Sequence, residues 1–185
     1  MDIKTFEKKD LEVMQNIVGK RLNNIFKQLD FFILNFGEEV EYSLHTYSFL
    51  RIIKDKVILL TSADEYYYPS HERMLAKVYK KDEMHEKSLL RLNIEKTKTA
   101  LENAVVKEVV VTDTADLYIA FDNKVIIQVL IDYLCQDTEM HRFFKCKSED
   151  SNNPHYVIKF YDECLITEVD YPKQYLKHLK LKNRK

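Results

Sequence analysis

Two strand-rich stretches of this chain, residues 29–42 (LDFFILNFGEEVEY) and 115–127 (ADLYIAFDNKVII), can be aligned if one residue is gapped. Each contains an aspartate, an aromatic-rich strand, a polar turn that begins at phenylalanine, and an alternating strand. Two interpretations stay open, because unrelated hairpins also share such a pattern: an internal duplication, or two independent hairpins. The alignment predicts two weakly similar halves, residues 19–69 and 104–165.

Strand composition extends well beyond the aligned stretches, because segments rich in Phe, Ile, Val, Tyr and Thr alternate with short polar turns. Turns are predicted at residues 35–38 and 54–56. The segments that we interpret as strands are residues 22–36, 39–53, 56–63, 105–111, 116–121, 125–135 and 156–161. Short turns between such segments predict antiparallel meanders.

Two segments have helical spacing instead. Residues 5–18 predict an N-terminal helix that ends at Gly19. Residues 70–103 form a charged connector that contains neither glycine nor proline, and its apolar positions recur every three or four residues at Leu90, Ile94, Thr97 and Leu101. The chain is therefore predicted to be one α+β domain over residues 1–185, with a helical connector between its halves.

Composition excludes several classes of protein. Apolar residues make up 45% and charged residues 32%, which is typical neither of a disordered chain nor of a membrane protein. The charged N-terminus has no apolar stretch of the secretory kind, so we expect a cytoplasmic protein. Only two glycines occur, Gly19 and Gly37, which argues against a glycine-rich phosphate loop. The three cysteines are odd in number and match neither a disulfide framework nor a zinc module.

The first candidate site is a polar cluster made of His45, Tyr47, Arg51 and Asp64. With a two-residue turn at Asp55-Lys56, Tyr47 would face Asp64 and His45 would face Tyr66, because side chains alternate along strands. Such a group could bind a small anionic ligand or serve a hydrolytic reaction. The alternative is a structural network in which Arg51 pairs with an acid.

The second candidate is the aromatic run Tyr66-Tyr67-Tyr68, which follows Asp64-Glu65. Tyrosine supplies a large contact area with a polar tip, so this run predicts a contact with another protein. The alternative is that these rings close over the edge of the sheet.

No cofactor or metal is expected. His71-Glu72 and His85-Glu86 lack the second histidine, four residues after the first, that a zinc-protease helix requires. Asp122-Asn123-Lys124 is a turn sequence rather than a nuclease motif. No catalytic residue is therefore predicted.

The C-terminal residues 173–185 contain five lysines and one arginine, interleaved with leucine and tyrosine. A basic amphipathic segment could contact nucleic acid or an acidic partner, because lysine clusters release phosphate counterions. A solvated tail is the alternative. The whole chain has a formal net charge of −1, so any nucleic-acid contact would depend on this tail.

Three strings carry a family resemblance: residues 44–53 (LHTYSFLRII), 57–64 (VILLTSAD) and 116–123 (DLYIAFDN). They resemble small uncharacterised bacterial proteins that are similar in style to the immunity-type partners of bacterial toxins. One departure is Leu50, where the relatives tend to carry tryptophan. The resemblance implies a non-enzymatic module that binds another protein, and a homodimer is also compatible with it.

Overall fold

The computed structural model of the chain describes residues 14–67, 88–112, 116–131, 139–146, 157–161 and 168–169. The predicted N-terminal helix lies outside this part except for its last turn. There Gln15–Ile17 form a 3₁₀ turn, and Gly19 follows with a φ of +82°, the left-handed conformation that glycine adopts without strain. Tyr68, residues 70–87 of the predicted connector and the basic tail also lie outside the described residues.

The described residues contain eleven strands, one α-helix and a second 3₁₀ segment at Ser62–Tyr66. The helix is α1 (Leu89–Leu101). The strands are β1 (Leu22–Gln28), β2 (Phe31–Phe36), β3 (Tyr42–Thr46), β4 (Phe49–Lys54), β5 (Val57–Thr61), β6 (Val106–Val111), β7 (Leu117–Phe121), β8 (Val125–Leu130), β9 (Glu139–Lys145), β10 (Val157–Tyr161) and β11 (Glu168–Val169). The α+β class with antiparallel pairing agrees with the prediction.

Two predicted strands are each divided in two. The segment 22–36 turns back at Leu29-Asp30, where Leu29 has a φ of +51° without any glycine to signal the turn. The segment 39–53 breaks at Tyr47-Ser48, where the amide of Ser48 donates to the hydroxyl oxygen of Thr46 at 3.0 Å. This side-chain bond replaces a ladder bond, so the chain leaves one sheet for the other. Strand β9 was not predicted.

The strands form two antiparallel sheets. One has six strands in the order β1-β2-β3-β9-β10-β11, and the other has five in the order β5-β4-β8-β7-β6. The two halves of the chain exchange strands between these sheets. Strands β1–β3 lie in the six-stranded sheet and β4–β5 in the five-stranded sheet, whereas β6–β8 lie in the five-stranded sheet and β9–β10 in the six-stranded sheet.

The same pattern of backbone hydrogen bonds occurs at the start of each half. Gly37 donates its amide to the carbonyl of Arg21 at 3.0 Å, and Asp122 donates to the carbonyl of Val105, also at 3.0 Å. Arg21 and Val105 in turn form an antiparallel bridge with each other. The beginnings of β1 and β6 therefore join the two sheets at one corner, in a pseudo-symmetric manner.

A shared core fills the space between the sheets. Its fully buried side chains come from both of them, including Leu34, Leu44 and Phe143 from the six-stranded sheet and Ile52 and Ile127 from the five-stranded sheet. Burial of such side chains stabilises a domain by about 1.5–3 kcal/mol each.

Helix α1 packs against β5 and β1, which lie at the edges of the two sheets. Its apolar face is the predicted one: Leu90, Thr97 and Leu101 are buried, and Ile94 packs against the core. The helix therefore covers the side of the core where these two edge strands lie.

Candidate functional site

His45 and Tyr47 lie on the outer face of the six-stranded sheet, because residues of β3 alternate between the core and the outside. Tyr42, Leu44 and Thr46 are on the core side. The ring of Phe31 lies 5.3 Å from His45 and 5.1 Å from Tyr47, and Phe144 meets His45 edge-on at 4.8 Å. The two predicted residues thus belong to a continuous aromatic group across β2, β3 and β9.

The charge state of His45 is set by this environment. Burial lowers the pKa of His45 below its usual value of 6.5, and the positive charge of Arg142, its cross-strand neighbour, lowers it further. His45 is therefore neutral at pH 7, and a neutral imidazole can both donate and accept a hydrogen bond.

Arg51 lies on the other sheet. It occupies the outer face of β4, and its Nε donates to Oε1 of Gln128 on β8 at 2.8 Å. The Arg51–Gln128 pair and the His45–Arg142 pair occupy equivalent places in the two sheets. Each pair joins the third strand of one half, β8 or β3, to a strand of the other half, β4 or β9. Arg51 thus has the structural role that the sequence analysis left open, with an amide as its partner rather than an acid.

Asp64 closes the start of a 3₁₀ segment. Its carboxylate accepts from the amide of Thr61 at 3.1 Å and from the hydroxyl of Thr61 at 3.0 Å, as in a capping box. It also accepts from Nδ2 of Asn93 on α1 at 2.7 Å. These bonds tie the 3₁₀ segment to the helix.

The predicted pairing of Tyr47 with Asp64 and of His45 with Tyr66 is wrong. The two-residue turn at Asp55-Lys56 is present, but a bulge after Ile58 shifts the register, so that Arg51 faces Thr61. The strand break after β3 removes His45 and Tyr47 from this hairpin altogether. His45, Arg51 and Asp64 have separate partners, so this pairing no longer supports a common ligand-binding or hydrolytic face.

Tyr66 ends the 3₁₀ segment and Tyr67 follows it, and both are exposed, Tyr66 to 77%. The segment is held beside β1 by an ion pair between Glu65 and the ammonium of Lys27. Lys27 lies near the end of β1, next to the Leu29-Asp30 turn. The tyrosines therefore lie at the end of the six-stranded sheet where β1 turns into β2.

Two further exposed apolar residues lie at this same end. Leu29 is 80% exposed at the tip of the turn, and Tyr47 follows the last residue of β3 at the level of Phe31. We call the whole group the turn-end surface; its members are Leu29, Asp30, Tyr47, Glu65, Tyr66 and Tyr67.

Sequence reasoning missed Leu29, Phe31, Arg142 and Phe144. Leu29 carries no local signal, because a leucine in a two-residue turn contradicts the residue preferences of such turns. Phe31 was placed in the interior of one long strand. Arg142 and Phe144 lie in β9, and the alternation of Met140, Arg142 and Phe144 with His141 and Phe143 was a signal that could have revealed this strand.

No group of three or more His, Cys, Asp or Glu side chains among the described residues could hold a metal ion. Cys146 is a free, half-buried thiol, and burial raises its pKa. Such a thiol is a poorer nucleophile at neutral pH than an ordinary one, because less of it is ionised. Cys135 and Cys164 lie outside the described residues.

Comparison with known proteins leaves the family open: no family model matches the chain, and no curated protein or solved structure is significantly similar to it. The resemblance to immunity-type proteins therefore stays a prediction. In the part of the chain that the structure describes, no helix is long and apolar enough to cross a membrane.

Proposed function

We propose that the protein is a non-enzymatic module that binds another protein through the turn-end surface. The observation that carries this proposal is the exposure of Leu29, Tyr47, Tyr66 and Tyr67, all of which belong to segments at the end of the six-stranded sheet where β1 turns into β2. Large apolar and aromatic side chains dominate the binding energy of protein interfaces. Asp30 supplies an exposed acidic side chain at the turn, and Glu65, which is ion-paired with Lys27, supplies a polar one.

The backbone at Leu29 supports the same proposal. A left-handed conformation costs a residue with a Cβ atom about 1–2 kcal/mol, and glycine or asparagine would relieve most of it. Leu29 nevertheless adopts a φ of +51° with its side chain in solvent, where it contributes little to folding. A local cost without a folding benefit is typical of a functional position.

The partner that we propose is a bacterial toxin, as the resemblance to immunity-type proteins implies. An acidic and aromatic surface suits a partner that carries lysine and arginine around an apolar patch, because complementary charges guide association. In this proposal the protein carries out no chemistry itself, and masks the toxin by occupying its surface.

We also propose that the chain arose by duplication of a five-stranded unit. The exchanged strand order and the repeated hydrogen bonds at Arg21 and Val105 support this proposal. Under it, the turn-end surface belongs to the first half alone, because residues 112–116, which join β6 to β7 in the second half, contain neither leucine nor tyrosine. Function would then have been acquired after the duplication.

The proposed function is tested by co-expressing the chain with the product of each neighbouring gene. We expect one product to arrest growth when expressed alone, and to form a complex detectable by native mass spectrometry when the chain is present. Tyr66→Ser and Leu29→Asn should each weaken that complex about tenfold or more, as truncation of a central contact does. Asparagine tolerates the left-handed backbone, so Leu29→Asn removes the side chain without adding strain.

Val57→Ser is the matched control. Val57 is also exposed, but it lies beside the Asp55-Lys56 turn, at the opposite end of β5 from the tyrosines. The control should leave affinity unchanged. A neighbour that binds the Tyr66→Ser and Leu29→Asn variants as tightly as the wild type would contradict the turn-end surface, and the absence of any binding neighbour would contradict the toxin partner.

A further inference from the structure

The outer face of the five-stranded sheet carries one apolar row that crosses four adjacent strands, next to the row that holds Arg51 and Gln128. Ile58 is 53% exposed, Val110 43% and Ile126 36%. An antiparallel sheet with one face on the core normally carries polar side chains on the other. This face therefore departs from the pattern expected of a surface that meets only water.

The strand register places Ile58 and Ile126 in one row across the sheet, whereas Val110 pairs with Tyr118 in the row beside it. Ile58 on β5 pairs with Ile53 on β4, which pairs with Ile126 on β8, which pairs with Ala120 on β7. Glu108 on the edge strand β6 pairs with Ala120 and ends the row. An uncharged, flat row of this kind can lie against a second, similar row.

The size of this face limits what it can bind. Five strands about 4.8 Å apart, with about five residues each at about 3.4 Å, span roughly 24 Å by 17 Å. This footprint of roughly 400 Å² is about half of the roughly 800 Å² that each partner of a standard interface buries. A partner of matching flatness would be held weakly rather than permanently.

Charged residues at the two ends of the row are complementary. Lys56 lies in the turn beside Ile58 at the β5 end, and Glu108 lies at the β6 end. Both are exposed, and within the described residues neither forms an ion pair, whereas the adjacent Asp55 pairs with Lys124 at 3.8 Å. The row thus has a positive and a negative end, which is what a self-complementary surface needs.

We propose that this face binds a second copy of the chain. The two-fold axis would run parallel to the central strand β8, between the two facing sheets. It would bring Ile126 of one copy against Ile126 of the other, and Lys56 of each copy opposite Glu108 of the other. The proposal goes beyond the binding function above, because none of its residues belongs to the turn-end surface.

The test is the oligomeric state of the full chain, measured by sedimentation equilibrium from about 1 to 200 µM, a range that covers a weak interface. We expect a reversible monomer–dimer equilibrium with a dissociation constant on the order of 10 µM. Ile126→Lys should raise that constant at least tenfold, because it buries a charge at the axis. Leu92→Lys, on an exposed position of α1, is the matched control and should leave it unchanged.

Charge reversal tests the orientation. Lys56→Glu alone and Glu108→Lys alone should each raise the dissociation constant about fivefold or more, because each creates two repulsive contacts per dimer. The double variant should return it to within about twofold of the wild type. A chain that stays monomeric at about 200 µM would overturn the proposal in favour of a different protein on this face. A dimer that tolerates Ile126→Lys, or that the double charge reversal fails to restore, would also overturn it.

Discussion

The two sheets have equivalent strand orders but very different outer faces. On the six-stranded sheet, the outward positions of Ile33, Ser43 and Met140 are buried. On the five-stranded sheet, Ile126 occupies the place equivalent to Ser43. Ser43 on β3 lies between β2 of its own half and β9 of the other half, and Ile126 on β8 lies between β7 of its own half and β4 of the other half. Ile126 is nevertheless partly exposed. At these positions the outer face of the six-stranded sheet is therefore the more deeply buried of the two, although Tyr47 on the same face is 40% exposed.

The difference shows that two sheets with equivalent strand orders can carry different side chains on their outer faces. The equivalent cross-strand pair is a histidine beside an arginine on one sheet, and an arginine bonded to glutamine on the other. Only the first is packed among aromatic rings. The inner faces, by contrast, are mainly apolar on both sheets and share one core, with Thr46 and His141 as buried polar residues on the six-stranded sheet. Variants that separate inner from outer positions therefore test the comparison.

The largest effect is expected from Phe143→Ala. Phe143 is fully buried on the inner face of β9 and stacks against Tyr42 at 5.8 Å. Its truncation should lower the free energy of unfolding by about 3–5 kcal/mol, through lost burial and the cavity that remains. Urea denaturation measures this loss. The adjacent Phe144→Ala, on the outer face, is the control and should lower the free energy of unfolding by less than half as much. Equal losses for the two variants would mean that the outer face is packed as tightly as the inner face.

A smaller effect is expected from acid. Burial lowers the pKa of His141 on β9 from 6.5 to about 3, so the folded state keeps this side chain neutral. Below pH 6.5 the unfolded chain binds a proton that the folded chain does not, and stability falls by up to about 1.4 kcal/mol per pH unit until about pH 3. Above pH 6.5 this contribution is constant.

The matched variant is His141→Leu, because Leu50 occupies the equivalent inner position of the five-stranded sheet. Urea titrations at pH 7 and pH 5 measure how much free energy of unfolding each protein loses between these two pH values. The wild type should lose about 2 kcal/mol more than His141→Leu. A wild type and variant with the same pH dependence would show that His141 titrates normally in the folded protein.

The smallest effect is expected at the turn of the six-stranded sheet. Leu29→Gly should raise the free energy of unfolding by about 0.5–1 kcal/mol, because glycine removes the left-handed strain at a φ of +51°. Thermal denaturation should show a higher midpoint, together with weaker partner binding. Lys124→Gly, at a φ of +67° in the turn between β7 and β8, should stabilise similarly and leave binding unchanged. A Leu29→Gly variant that is less stable than the wild type would contradict the claim that the backbone at Leu29 is strained.

The elements with strong local signals could be predicted from the sequence. The face of α1 follows from spacing alone, and the Asp55-Lys56 and Asp122–Lys124 turns follow from their polar residues. The breaks at Leu29 and at Tyr47-Ser48 could not be predicted, because neither position carries a glycine, a proline or a strong turn residue such as asparagine followed by glycine. They depend on which strand is available to pair, and that is a property of the whole fold.

The prediction of the candidate site also succeeded where the signal was local and failed where it depended on strand pairing. Tyr66 and Tyr67 could be recognised as exposed contact residues from their sequence context, whereas the grouping of His45 with Arg51 and Asp64 depended on a register. A single bulge after Ile58 and a single strand break separated these residues. A one-residue change of register moves every side chain to the other face, so site predictions that rest on strand pairing are the most sensitive to local irregularity.

The contrast between the outer faces is tested most directly by thiol accessibility at equivalent positions. Ser43→Cys and Ile126→Cys would be prepared in a chain whose native Cys135, Cys146 and Cys164 are replaced by serine. Each would be labelled with a maleimide at about 0.1 µM, well below the expected dissociation constant of the dimer. The account predicts that the thiol at position 126 reacts at least about tenfold faster than the thiol at position 43, because accessibility controls thiol reactivity. Equal rates, or a faster reaction at position 43, would contradict the claim that the outer face of the six-stranded sheet is the more deeply buried at this position.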